Sequence, residues 1–257
     1  MTADSVLPWL AGAWGLAIGS FLNVCIFRLP ARVSVVVPPS RCPSCGHKLS
    51  WFENIPVVSY LVLRARCRAC GAPISWQYPL IEIVTGVMFM AAVWWFGLGW
   101  LLVSRLVFLS AMIVLFAIDL RHHILPNVIT LPGIIVGLAF SLLTEPGWMA
   151  SAIGIVAGGG ALWLIAEAYY RIRQEEGLGM GDVKMLAMIG AFLGWKLMLL
   201  TLVVSSFLGA LFGVALIVSR RGGMKYALPY GTFLAVGAAF ASFVGDAIVD
   251  WYARFYV

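Results

Sequence analysis

Long apolar runs alternate with short polar connections along almost the whole chain. They fall near 8–27, 79–97, 99–119, 126–143, 149–170, 182–195, 196–219 and 230–253. Most approach the roughly 20 apolar residues that a helix needs to span a bilayer. The pattern predicts an all-α polytopic membrane protein with about eight transmembrane helices. The sixth run is too short to span untilted, and the turn Gly194-Trp195-Lys196 divides it from the seventh. Only 28–78 breaks the pattern at length, and it predicts a small soluble domain between helices one and two. The expected organisation is a first transmembrane helix at 1–27, the soluble domain at 28–78 and a seven-helix membrane domain at 79–257.

Composition strengthens this picture. The chain is 62% hydrophobic and 11% charged, where a soluble domain carries roughly 25% charge. Residues 1–7 hold Asp4 and no Lys or Arg, so the first run is expected to be a retained helix and not a secretory signal. The net charge of +6 does not point to nucleic acid, because topology accounts for the basic residues. With eight alternating spans, Arg28, Arg32, Arg41, Lys48, Arg64, Arg66, Arg68, Arg121, Arg171, Arg173, Lys184, Arg220, Arg221 and Lys225 share one side. Of 17 Lys and Arg, only Arg105, Lys196 and Arg254 fall opposite. The basic side is expected to be cytoplasmic, with both termini outside. Glycine pairs at four-residue spacing (133/137, 154/158, 190/194 and 209/213) are read as close helix packing.

This topology brings two distant acids to one membrane depth. Asp119 closes the third run, which travels inward. Asp182, in G-M-G-D-V-K at 179–184, opens the sixth, which travels outward. An acid at a bilayer edge is costly and marks a functional site by default. Two close carboxyls in a poorly solvated site divide into one ionised and one protonated group, the pair that peptide hydrolysis by aspartates requires. Asp182 alone also suits a helix N-cap. His122 and His123 are neighbours that face apart on a helix, which disfavours a metal hydrolase. Lys184 is read as a boundary charge, and Glu167 and Asp246 as structural.

In the soluble segment, Cys42-Pro-Ser-Cys45-Gly-His47 and Cys67-Arg-Ala-Cys70-Gly71 form two C-x-x-C knuckles. Their separation fits a structural zinc ribbon with Cys42, Cys45, Cys67 and Cys70 as ligands, each second Cys followed by a turn-forming Gly. About 50 residues bury little core alone, so a metal would supply much of the folding energy. Disulfides are the alternative, disfavoured in a reducing compartment. His47 is read as a surface residue and Cys25 as a small buried hydrophobe.

With these residues in view, the chain resembles the bacterial type IV prepilin peptidases, the leader peptidase/N-methyltransferases. The resemblance runs through G-S-F-L-N-V-C-I-F-R-L-P at 19–30, both C-x-x-C pairs, W-F-E-N-I-P-V-V-S-Y at 51–60, P-L-I-E at 79–82, D-L-R-H-H-I-L-P-N at 119–127, G-M-G-D-V-K and P-Y-G-T-F-L-A at 229–235. The glycine-aspartate signature alone is short; in this order with the zinc ribbon it is specific. The resemblance implies cleavage of a short basic leader after a glycine, at the cytoplasmic face of the inner membrane, in prepilins or type II secretion pseudopilins. Asp119 and Asp182 carry over as catalytic pair and the four cysteines as zinc ligands. It also implies methylation of the new N-terminal amine from S-adenosylmethionine. Glu53 and Glu82 are the candidates to assist methyl transfer, with Asn23 and Asn54 as polar neighbours. The same acids would equally serve to hold the ribbon on the membrane helices. Pro229-Tyr230-Gly231 is either a substrate contact or a plain helix start. A channel or transporter binding a cation with the paired acids is the competing class.

Overall fold

The computed structural model describes residues 3–174, 179–219 and 228–255. Arg220, Arg221, Lys225 and the Gly177 end of the glycine-rich stretch lie outside the described residues, as does the side chain of Arg173. Helices are α1 (Ala3–Arg28), the short α2 (Val58–Val62), α3 (Gln77–Phe96), α4 (Trp100–His122), α5 (Asn127–Phe140), α6 (Trp148–Arg173), α7 (Met180–Val218) and α8 (Tyr230–Ala253). Six of them are long and apolar enough to cross a bilayer, and α5 is a shorter apolar helix. Many large apolar side chains on them are exposed, including Trp163, Ile165, Val203 and Phe207, as befits helices solvated by lipid. The sixth and seventh apolar runs both lie within α7, so the eight expected helices appear as seven elements, one of them broken.

The chain divides into two compact units, Met1–Leu98 and Gly99–Val257. In the first, α1 and α3 approach until their backbones touch. A Cβ on Gly15 would lie 2.8 Å from Gly86 Cα, and one on Gly19 2.7 Å from Glu82 Cα. In lipid such small-residue contact replaces the missing hydrophobic drive.

The second unit is organised by α7. Its 39 residues are interrupted at Gly194, whose φ of 74° and ψ of 172° are not helical. The chain reverses there. A Cβ on Gly158 of α6 would meet Leu186 O at 3.0 Å and Met198 Cγ at 3.3 Å, yet a straight helix would hold positions 12 apart about 18 Å from each other. α7 is therefore a hairpin with arms at 180–193 and 195–218. The break leaves helix-end carbonyls without partners, a serious cost away from water. Side chains satisfy two of them: Ser151 Oγ donates to Ala191 O (2.8 Å) and Arg105 Nη1 to Phe192 O (3.2 Å). Arg105, expected as a charge on the outer side, is thus buried and serves a helix end, where a cation also suits the dipole.

The glycine pairs divide on inspection. Gly154 and Gly190 lie backbone to backbone, Gly137 packs on Phe192 and Ala191, and Gly133 meets Met188. Gly209 and Gly213 have only ordinary contacts, at 3.7 and 3.4 Å, so the close packing expected there is absent. Phe192, on the first arm, is the centre of an aromatic cluster with Phe108 (5.1 Å between centroids) and Phe140 (6.5 Å).

Candidate active site and four-thiol centre

Three helix ends assemble around Asp119, all within the second unit. The acid lies in the last turn of α4 and is buried, at 5% exposure. α8 begins beside it. The Thr232 amide donates to Asp119 Oδ2 at 2.7 Å and the Thr232 hydroxyl to the same oxygen at 3.1 Å. A Cβ on Gly231 would sit 3.0 Å from that oxygen and 2.9 Å from Leu125, so only glycine lets α8 start so close. Leu125, in the α4–α5 connection, also lies against Gly181, where a Cβ would be 3.0 Å from it. One side chain thus joins the turns that carry both acids.

Asp182 lies in the first turn of α7, after the N-cap Gly179. It is therefore not the N-cap itself, and the helix end has no side-chain cap. Asp119 is close enough to act on Asp182 electrostatically, and Asp182 acts likewise on the Tyr230 phenol. Among the described residues none donates a hydrogen bond to the Asp182 carboxylate. Among the described residues the two acids thus differ: one accepts two hydrogen bonds, the other none. Lys184 Nζ donates to Asn127 Oδ1 (3.0 Å), tying the start of α7 to that of α5. His122 and His123 are exposed, and His123 takes the left-handed C-cap of α4.

In the first unit the two C-x-x-C segments fold alike. The Cys42 amide donates to His47 O and the Gly46 amide to Cys42 O; the Cys67 amide donates to Ala72 O and the Gly71 amide to Cys67 O. Gly46 and Gly71 both have φ above +70°, the conformation for which glycine is favoured. All four Sγ atoms lie within 4.8 Å of one another, with Cys42–Cys70 at 3.9 Å and Cys45–Cys67 at 4.0 Å. Four thiolates on zinc at ~2.3 Å would stand about 3.8 Å apart. The cluster therefore fits a tetrahedral zinc, and none of the four is in a disulfide. Amides of Cys45 and Ser44 hold the Cys42 thiol down to about 6. Cys45 is raised although the His47 amide acts against this, because burial and the neighbouring sulfurs oppose further charge. A cation removes that conflict.

Glu53 and Glu82 are both buried in this unit. Glu53 Oε2 accepts from the Ser50 amide (2.8 Å) and meets His47 Nε2 at 3.2 Å. The Ser50 amide, opposing burial, and then His47 keep this carboxyl below its usual range. His47 is thus a partly exposed link from the first knuckle to Glu53, more than a free surface residue. Glu82 Oε2 accepts from the Val57 amide at 2.8 Å, fastening the loop to α3. Val57 has a φ of 60°, an outlier for a β-branched residue. Asn23 is 1% exposed and donates from Nδ2 to Tyr78 O at 3.0 Å. Asn54 contributes with these residues to the wall of one cavity of about 480 Å³.

Sequence reasoning missed Thr232, Leu125 and the capping role of Arg105. A hydroxyl or a leucine in an apolar run carries no signal until the partner helix is known. For Thr232 the one available hint is its place directly after the Pro-Tyr-Gly turn.

A buried and a half-buried carboxylate at helix ends, among several helices apolar enough to cross a bilayer and with a separate four-thiol cluster, suit a membrane-embedded hydrolase of the aspartic type. Comparison with known proteins agrees. Residues 13–96 match the Bacterial Peptidase A24 N-terminal domain, and residues 106–214 match the Type IV leader peptidase family. The prepilin leader peptidase/N-methyltransferase of Xanthomonas campestris pv. campestris is 36% identical, covering 95% of this chain and 94% of its own length. Those of Aeromonas hydrophila (37%; 96% and 95%) and Pseudomonas aeruginosa (35%; 94% and 91%) are similar. The chain belongs to the type IV leader peptidase family. No solved structure matches it.

Proposed function

We propose that this protein is an aspartic endopeptidase of the inner membrane that removes the basic leader of prepilins or pseudopilins after a glycine, then methylates the exposed amine. Asp119 and Asp182 are the catalytic pair. The observation that carries this is a buried Asp119 carboxylate, doubly hydrogen-bonded by Thr232 and within electrostatic reach of an Asp182 that receives no such bond from any described residue. Donors favour a charged carboxylate, so Asp119 acts as the base and Asp182 carries the proton. Asp119 takes a proton from water as its oxygen attacks the scissile carbonyl carbon, and Asp182 gives its proton to the carbonyl oxygen. The tetrahedral intermediate then collapses: the C–N bond breaks, the departing nitrogen takes the proton held by Asp119, and the hydroxyl that Asp182 protonated returns its proton to Asp182 as the carbonyl re-forms. A glycine at the cut eases unwinding of the substrate helix, which otherwise shields its carbonyls.

The basic side of the helices faces the cytoplasm, with eight crossings, both termini periplasmic, and the ribbon on the side where the leader lies. Cys42, Cys45, Cys67 and Cys70 hold a structural Zn²⁺. Closed four-thiolate coordination leaves no position for substrate, so the metal contributes folding energy and no chemistry. S-adenosylmethionine supplies the methyl group. Glu53 and Glu82 assist by orienting the amine, which must be neutral to react.

Mass spectrometry of a synthetic prepilin before and after exposure to purified protein reads both the cut and the added methyl. Asp119→Asn and Asp182→Asn are each expected to abolish cleavage, at least 1,000-fold, with folded protein retained. Cleavage retained by either variant would remove the pair from the mechanism and restore the cation-binding alternative.

A further inference from the structure

The loop between the two cysteine knuckles carries an apolar face that its own unit leaves uncovered. α2 has two sides. Ser59, Tyr60 and Leu63 line the cavity of that unit. Val58, Leu61 and Val62 do not line it and are exposed, Leu61 at 67% and Val62 at 75%. Three bare aliphatic side chains on one short turn are costly in water.

The anchor of the loop sets its depth. The Val57 amide donates to Glu82 Oε2 at 2.8 Å. Glu82 stands five residues into α3, which starts at Gln77, about 7.5 Å along the axis at ~1.5 Å per residue. Side chains on a helix tilt toward its N-terminus, so the Val57 amide hangs at the level of the first turn of α3. Trp76, the exposed N-cap of that helix, marks the headgroup zone, where tryptophan is enriched. Leu80, Ile83 and Val84 of α3 are exposed apolar residues at or just below the same level. Interfacial elements bury an apolar face about 5–10 Å into this boundary. Entry also demands a backbone paired within itself. The amides of Ser59, Leu61, Leu63, Arg64 and Ala65 all donate to carbonyls of residues 55–61.

Charge selects the kind of surface. Residues 28–78 hold seven Lys and Arg against one acid, the buried Glu53. Arg64 and Arg66 follow α2 directly and are exposed. Such a rim repels a basic peptide and attracts phosphate.

We propose that residues 55–66 form a membrane-dipping loop, in which Val58, Leu61 and Val62 enter the acyl boundary while Arg64 and Arg66 bind the phosphates of anionic lipids. The orientation proposed above makes this the cytoplasmic leaflet; the immersion itself does not depend on it. Each arginine favours an anionic surface roughly fivefold. Arg66 is followed at once by Cys67, so the lipid contact also fixes the height of the four-thiol cluster above the bilayer.

For the test, the full chain with zinc is reconstituted into vesicles with a dansyl side chain in place of Leu61 or, as a control, of Lys48, both exposed. Lipid brominated high on its acyl chains is expected to quench at position 61 and not at 48, and aqueous iodide the reverse. Equal iodide quenching at both positions would overturn the proposal by placing the loop in water. Shielding of position 61 from both quenchers would overturn it as well, because another part of the chain or a second copy would then cover the face. A photoactivatable phosphatidylglycerol, as about one third of the lipid, is expected to label 55–68 roughly fivefold less or weaker still in Arg64→Gln/Arg66→Gln, with labelling of 99–257 within about twofold of unmodified protein. Equal labelling of 55–68 in both proteins would overturn the arginine contacts.

Discussion

Thr232 illustrates how one side chain sets the character of a pair. It gives Asp119 two donors on one oxygen, while Asp182 has none among the described residues. Thr232→Val keeps the amide and removes the hydroxyl. A hydrogen bond to a charged group is worth about 1.5–3 kcal/mol, so cleavage is expected to fall roughly 10- to 100-fold. Because Thr232 positions and does not react, the pH profile of kcat should also move, which a purely structural defect would leave in place. At this scale part was legible: an acid at the end of an apolar run and two C-x-x-C pairs announce themselves by residue type, and the four thiols do come together. Thr232 and Arg105 do not announce themselves. A threonine in an apolar run looks unremarkable, and the sequence places Arg105 only among the outer-side charges, with no sign of the Phe192 carbonyl that it meets.

The elements depend on a few backbone positions. Gly194 makes the reversal within α7, at a φ of 74° with a Cβ position 2.9 Å from the Pro146 ring. Gly194→Ala should destabilise the second unit by at least ~1–2 kcal/mol, from the left-handed conformation alone, and more through the Pro146 clash. Thermal unfolding in detergent measures it. In the other unit, the paired knuckles have little apolar core of their own. Removing zinc with a chelator should open residues 41–73 to protease while 99–257 stays resistant; equal sensitivity of both units would contradict a local role for the metal. The Gly194 break was legible as a seam between apolar runs. The partners of the glycines were not, since spacing along one helix names no neighbour: Gly154 and Gly209 sit in equivalent patterns, yet only Gly154 touches backbone.

For the whole molecule, run lengths revealed how often the chain is apolar, but not whether one helix doubles back. That is why eight runs became seven elements, with α7 holding two. α5 and the first arm of α7 are the short members of the membrane domain. α5 has 14 residues, so its length is about 21 Å at ~1.5 Å per residue, and residues 180–193 reach no further. The hydrocarbon layer is roughly 30 Å thick. Both start next to Leu125, at the acids, and both end at the Phe140–Phe192 contact.

Struts this stunted fall ~10 Å short of that layer, and if their Phe140–Phe192 end reaches the opposite headgroups the whole gap opens on the acid side. The leaflet must dimple toward the carboxylates, or water must fill the recess above them, and in either case the peptide bond to be cut descends below the phosphate plane. Thicker lipid deepens the well. Reconstituted into vesicles of increasing acyl-chain length, the protein should lose turnover progressively while a lipid-free detergent control stays constant, because mismatch costs fractions of a kcal/mol per Å. Turnover indifferent to chain length would mean that the acids already lie level with the headgroups.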